Sequence, residues 1–363
     1  MQGSGRLDFL DGIRGVAIAA VLALHWASWY VPFFHGGSIG VDVFFVLSGF
    51  VITTVLWRGT TQWGAFLRRR VVRLYPALLG LVVVSVALYA VTPWAPVGPA
   101  DVARRGLIAL TQTSSAWAAT RSGSMWLPGL EPFGQTWSLA VEWYFYALWP
   151  LLVLRARAAD WSAARLAAVS LAAAAAAYAL AVPLPTFAFY FGPVERCAEL
   201  LVGAALGLWL VDHPPTPRRT RVAPVVALAA VIGYAVIGTD AQTWGYRYVG
   251  VPLAVAGAVL LIRAGYAGPG PAQRVLSHRW LTGLGRVSYS LYLWHLLPFV
   301  LLADAPLPKP ALGLLAVAAA AVLTWASHRL LERPFLRPRS ELLRMRRPGR
   351  PDPELRPSPA PLA

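Results

Sequence analysis

Apolar residues fill this chain in runs of about twenty, separated by short polar stretches, and at 1.5 Å rise per residue such a run crosses a bilayer core. Ten segments carry the pattern: 11–30, 37–57, 74–91, 137–154, 165–182, 195–211, 222–238, 246–262, 285–303 and 311–331. They predict an all-α polytopic membrane protein with about ten transmembrane helices, built as one membrane-embedded domain over residues 1–336. Segment 102–118 is weaker and shorter, and reads as a re-entrant or interfacial helix, or as an eleventh span. It lies in the longest outer connection, roughly 92–136, which is rich in Pro, Gly, Ser, Thr and Trp. A loop of that length is uncommon without a role, such as covering a site, although an ordered cap explains it equally well. No convincing small-residue cleavage site follows the first run, so it is expected to be a retained helix. Residues 337–363 are rich in Arg and Pro and are expected to form a disordered cytoplasmic tail touching anionic lipid heads.

Composition narrows the class. The chain has 363 residues, of which 57% are hydrophobic and only 13% charged, a balance rarely seen in soluble proteins of this length. A net charge of +16 invites a nucleic-acid reading. The basic residues, however, sit in particular loops and in the tail rather than in a soluble domain. With the N-terminus inside, ten spans place 26 of the 32 basic residues on the inner face. That bias supports ten spans and both termini in the cytoplasm. The high Ala, Arg and Gly content fits a GC-rich bacterial genome, hence a bacterial cytoplasmic membrane. A single cysteine, Cys197, excludes a disulfide framework and a thiolate cluster.

Span direction sorts the polar residues by depth. His25, Asp42, Glu142, Glu195, Glu199 and His295 fall in one outer-half layer, with Trp26 and Trp137 beside it. Asp11, Arg14, Arg69, Arg70, Arg73, Arg286, Tyr289 and Glu332 fall in an inner layer. An ionisable residue at membrane depth is expensive and needs a task or a partner. His25 suits a general base, because a neutral imidazole has a pKa near the operating pH; a satisfied structural histidine is the competing reading. The inner arginines suit phosphate, because the guanidinium presents a rigid fork of donors. In RRRVVRLYP the arginines precede a proline expected at a helix entrance, and a topology anchor is the plainer explanation for Arg69 and Arg70. Glu332 suits a structural pair with Arg333 or Arg73. No phosphate loop, HExxH site or GxSxG elbow is read from the sequence, since GGSIG at 36–40 lacks a strand–turn–helix context, and no credible metal site is read from it.

Six segments in order carry a family likeness: RLDFLDGIRGVAIAAVLALH, GVDVFFVLSGFVIT, FLRRRVVRLYPALL, WSLAVEWYFYALWP, GRVSYSLYLWH and LERPF. Together they span about residues 6–336, and the chain resembles the acyltransferase 3 family of integral membrane O-acyltransferases. The resemblance implies transfer of an acyl group, often acetyl, from cytoplasmic acyl-CoA to a hydroxyl. The implied acceptors are glycans, lipid-linked sugars, peptidoglycan or macrolides, and no metal is required. It implies His25 as the catalytic histidine, Glu142 as a catalytic carboxylate, and Arg14, Arg69 and Arg73 as acyl donor-binding residues. Membrane lipids are expected neighbours, and self-association into a homo-oligomer is left open. A multi-pass transporter or flippase for a glycan or lipid-linked substrate is the competing class.

Overall fold

The computed structural model describes residues 4–28, 30–59, 62–122, 129–194, 196–213 and 222–335. The expected tail, Glu195 and the arginines at 218–221 lie outside the described residues. Helix α1 (Ser4–Leu22) runs into a π-helical turn at Ala23–Ala27, closed by a bond from Ser28 N–H to the Ala23 carbonyl of 3.2 Å. Helix α2 (Ile39–Arg58) follows a short 3-10 turn, and α3 (Trp63–Val91) is the longest helix described. Next come α4 (Pro99–Leu110), α5 (Ser114–Ala119), α6 (Thr136–Ala158), α7 (Ala163–Ala181) and α8 (Thr186–Phe191). The second half holds α9 (Cys197–Asp212), α10 (Val222–Ile237), α11 (Val251–Ala267), α12 (Pro271–Leu276) and α13 (Arg279–Arg286). It closes with α14 (Ser288–Trp294), α15 (Leu297–Leu302) and α16 (Lys309–Ser327).

Among the described residues seven helical stretches are long and apolar enough to cross a membrane: Asp8–Ala27, His35–Arg58, Trp63–Val91, Thr136–Ala158, Ala163–Ala181, Tyr246–Ala267 and Lys309–Phe335. Val222–Ile237 and Ser288–Leu302 are apolar but shorter, and the expected sixth span is a helix of 16 residues, Cys197–Asp212. The expected ninth span is broken at His295–Leu296, just before Pro298 at the start of α15. Large apolar side chains such as Leu79, Val83, Leu148, Leu152, Leu180, Leu314 and Val322 point outward. Such a surface is costly against water and ordinary against lipid. The chain is an all-α polytopic membrane protein.

Two expectations need correction. Pro76 does not open a helix: α3 begins at Trp63, so the arginine run is itself helical and Pro76 lies in its interior. Segment 102–118 is not one helix but two, α4 and α5, joined by a turn at Thr111–Thr113 in which Gln112 takes a left-handed φ of 57°. That turn is tied to the bundle: Tyr75 donates to the Leu110 carbonyl (3.0 Å) and Tyr144 to the Gln112 carbonyl (2.7 Å).

Lipid tails are as apolar as leucine, so close packing and polar pairs hold such helices together. Helix α2 lies at the centre, against α1, α6, α9 and α11. Its approach to α9 is reciprocal: a Cβ on Gly49 would strike the Leu200 backbone, and one on Gly203 the Val46 backbone. The apolar core divides in two. One cluster is built on α1, α2, α6, α9 and α11, the other on α3, α4, α14 and α15, and Tyr289 packs against both.

Candidate active site

Polar side chains gather where these two clusters meet. At one level Arg14 of α1, Arg70 and Arg73 of α3, and Glu142 and Tyr146 of α6 lie within electrostatic range of one another. Glu142 accepts from the Ser48 hydroxyl (2.5 Å) and the Tyr146 hydroxyl (2.7 Å). The Arg70 guanidinium lies 5.1 Å from the ring centroids of both Phe66 and Tyr146. The buried Nε of Arg73 has no hydrogen-bond partner among the described residues. Three guanidinium groups against two carboxylates, Glu142 and the Asp11 that also acts on Arg14, leave an excess of positive charge and at least one unpaired donor, a set that fits a phosphate group. Tyr289 stands beside this cluster and donates to the Leu74 carbonyl at 2.6 Å.

One helical turn before Glu142, Ser138 shares a 2.7 Å hydrogen bond with Tyr292, and Gln135 donates to the Leu293 carbonyl at 2.7 Å. Beyond them lie His25 and His295, edge to face with ring centroids 4.9 Å apart. Nδ1 of His25 is 2.8 Å from the Val21 carbonyl and Nδ1 of His295 is 2.7 Å from the Tyr292 carbonyl. A carbonyl only accepts, so each Nδ1 carries the proton and each neutral ring keeps its lone pair at Nε2. The π turn at Ala23–Ala27 sets His25 here, and the break after α14 sets His295. π turns recur at functional sites because they re-aim one side chain without ending the helix. The His295 carbonyl at the break is taken by the Trp26 indole N–H at 3.2 Å.

The expected outer layer therefore resolves into three groups. His25 and His295 come together. Glu142 is bonded to Ser48 and Tyr146, within electrostatic range of the arginines. Asp42 and Glu199 flank Arg196 in a separate buried cluster: Arg196 pairs with Asp42, lies 2.9 Å from Glu199 and donates to the Tyr246 hydroxyl, which in turn reaches Asp42 at 2.9 Å. Trp137 joins this cluster, its ring 5.8 Å from the Arg196 guanidinium carbon, and Phe45 and Tyr190 complete the aromatic wall.

The inner layer is also subdivided. Arg70 joins Arg14 and Arg73, whereas Arg69 lies on the exposed face of α3. Arg286 pairs with Asp8 (3.0 Å) and Asp11 (3.5 Å). Glu332 is buried, but its partners are Ser290 (2.8 Å) and His328 (3.0 Å) in place of the expected arginines, because a further π turn, His328–Glu332, brings the histidine and the carboxylate together. Among the described residues no group of three His, Cys, Asp or Glu side chains could hold a metal ion.

A family model described as an acyltransferase domain matches residues 7–329. The chain belongs to this acyltransferase family. It is 29% identical over 361 residues to the peptidoglycan O-acetyltransferase OatA of Listeria monocytogenes, a match covering 90% of this chain and 55% of that protein. The putative membrane-bound transacylase BcsY of Komagataeibacter xylinus is 32% identical over 297 residues, covering 79% and 71%. The O-acetyltransferase OatA of Staphylococcus aureus is 28% identical over 314 residues, covering 80% and 50%. The chain thus spans about half the length of the two OatA relatives. No solved structure matches it.

Within this acyltransferase unit, reading the sequence alone misses Arg196, Tyr146, Ser48 and Tyr292. Tyr146 stands four residues after Glu142 and Glu199 three after Arg196, spacings that place both pairs on one helix face. Ser48 and Tyr292 carry no such signal, because their partners come from other helices.

Proposed function

We propose that this chain transfers an acyl group, typically acetyl, from acyl-CoA to a hydroxyl of a cell-envelope glycan. One observation carries the reading. A single helix with its π extension bears Arg14 in an arginine-rich cluster and, eleven residues on or roughly 16 Å along the axis, His25 beside a second imidazole. The phosphates of the donor engage Arg14, Arg70 and Arg73, and Arg69 serves the adjoining surface. Glu142 holds the guanidinium groups in place and limits their mutual repulsion. The thioester lies near Ser138 and Tyr292. Ser138 donates to the Tyr292 hydroxyl in preference to the Gln135 carbonyl 3.4 Å away, which leaves the Tyr292 O–H to donate to the oxygen that becomes negative as the thioester is attacked. Nε2 of His25 takes the proton of the acceptor hydroxyl, the oxygen attacks the thioester carbon, and CoA leaves as the thiolate. The names of the OatA relatives support an acetyl group and an O-linked product.

The same proposal sets this machinery in a bacterial cytoplasmic membrane as one domain over residues 1–336, crossing ten times. The seven long helices, the two shorter apolar ones and Cys197–Asp212 supply the crossings, and α4 and α5 form a re-entrant pair. The positive-inside bias supports cytoplasmic termini, with 337–363 as a tail on the inner surface.

The test is transfer in reconstituted vesicles, with labelled acetyl-CoA, glycan oligomers and mass spectrometry of the products. Wild type forms an O-acetylated oligomer, and His25→Ala loses about 10²- to 10⁴-fold in rate while still binding acetyl-CoA. A folded His25→Ala protein with full transfer activity overturns the assignment. Uptake of the glycan without acylation supports a transporter instead.

A further inference from the structure

His295 has no part in the steps above, yet it is fully buried and its Nε2 has no hydrogen-bond partner among the described residues. An unpaired polar atom inside a protein costs about 1–3 kcal/mol, so a buried one calls for an explanation. His295 is also rigidly held. Its Nδ1–H is bound to the Tyr292 carbonyl, its own carbonyl is bound by Trp26, and Trp26 stacks on Phe299 at 5.7 Å. The neighbouring Tyr292 ring is 5.5 Å away and its hydroxyl is bound to Ser138. This fixes the edge of the ring that is presented and puts a lone pair on it.

The two imidazoles are thus a matched pair. In the neutral state each has spent its proton on a backbone carbonyl, and neither has an N–H for the other. Once one proton is added to Nε2 of either ring, that ring becomes an N–H donor and the other is already an acceptor. The proton to be added is the one that an acceptor hydroxyl must lose.

We propose that His295 is a positioning partner that lets the pair hold one proton between transfer steps. This rests on the acyl-transfer reading. The acceptor O–H bond breaks and its proton goes to His25 Nε2 while the oxygen bonds the thioester carbon. The imidazolium then donates to His295 Nε2, which lowers the cost of a positive charge at membrane depth. The C–S bond breaks, and the shared proton passes to the CoA thiolate. The products are the O-acyl ester and free CoA thiol, and both rings return to neutral.

Two measurements test it. In wild type labelled with ¹⁵N-histidine in nanodiscs, with assignment by His25→Gln and His295→Gln, both rings are expected as neutral Nδ1–H tautomers at neutral pH. A proton on Nε2 of His295 in the resting state overturns the proposal. In the vesicle assay His295→Gln, which keeps a donor for the Tyr292 carbonyl and loses the imidazole lone pair, is expected to lower kcat about 10- to 100-fold. Its KM for acetyl-CoA should stay within about twofold, and its solvent deuterium isotope effect should rise. Wild-type kcat in His295→Gln also overturns it. If that variant fails to fold, the wild-type tautomer measurement decides alone. If wild type binds acetyl-CoA but never acylates a glycan, the acyl-transfer reading fails, whatever the tautomers are.

Discussion

Arg196 of α9's leading turn and Asp42 of α2 form an ion pair buried to 1% and 0% exposure, 154 residues apart in the chain. Glu199, at 2%, binds the other side of the guanidinium. Removing one partner of such a group strands a charge where water cannot reach it, typically at a cost of about 3–5 kcal/mol. Arg196→Met strands two carboxylates and should be the most damaging substitution in this region. Asp42→Asn leaves Glu199 opposite the arginine and should be milder. Thermal unfolding in detergent should rank the midpoints wild type, Asp42→Asn, Arg196→Met. Folded Asp42→Asn should still bind acetyl-CoA, because its cluster is separate from Arg14, Arg70 and Arg73.

The arginine cluster predicts a graded loss of donor affinity. A charge-assisted hydrogen bond to phosphate contributes about 1.5–3 kcal/mol, so Arg14→Ala and Arg73→Ala should each weaken acetyl-CoA binding about 10- to 100-fold. Arg70→Ala should fall in the same range. Arg69→Ala, on the exposed face of α3, should change binding by about twofold or less, as screened surface charges do. Isothermal titration in nanodiscs distinguishes the four. An Arg69 effect as large as that of Arg73 would place the phosphates on the outer face of α3.

Depth was legible in the sequence and direction around each helix axis was not. At 1.5 Å per residue, counting from a span's end puts His25 level with His295, and the structure brings the two rings together. The same counting puts Asp42 and Glu199 in that layer, but each residue also turns the chain by about 100°. Asp42 consequently faces α9 and Tyr246. Arg69 and Arg70 differ by one residue and take different surroundings for the same reason. Run length located seven of the ten expected spans as long apolar helices, as 37–57 against Ile39–Arg58, but missed the arginine-bearing start of α3, Trp63–Val91, where it expected 74–91. It failed at the ninth span, because the break at His295 lies inside an unbroken apolar run. Three π turns among the described residues, Ala23–Ala27, Tyr246–Gly250 and His328–Glu332, each carry residues of a buried polar group and leave no imprint on hydrophobic periodicity.

The Ser138–Tyr292 pair predicts a loss in the chemical step alone. Tyr292→Phe removes one hydroxyl and keeps the ring that packs beside His295. Losing one oxyanion donor typically costs 10²- to 10³-fold in kcat, so a fall of about 100-fold is expected, with little change in KM for acetyl-CoA. The melting temperature should move little, since a single buried hydrogen bond contributes only about 1 kcal/mol. Steady-state kinetics on the vesicle assay checks this. A rise in KM with kcat unchanged would make Tyr292 a ground-state binding residue instead.

Gly49 links packing to the site through its neighbour Ser48. A Cβ at Gly49 would meet the backbone of Leu200, which cannot turn aside as a side chain can, so α2 and α9 must separate. Overpacking of this kind typically costs about 1–3 kcal/mol. Ser48, one residue earlier, holds Glu142 by a 2.5 Å hydrogen bond, and Glu142 lies within range of Arg14 and Arg70. Gly49→Ala should therefore lower the melting temperature and weaken acetyl-CoA binding together. Ser48→Ala, which leaves the helix crossing intact, should reproduce the weaker binding with a much smaller thermal shift. Measuring both variants by thermal unfolding and by titration separates the two effects. Loss of stability in Gly49→Ala with normal donor affinity would show that the α2–α9 crossing and the arginine cluster are mechanically independent.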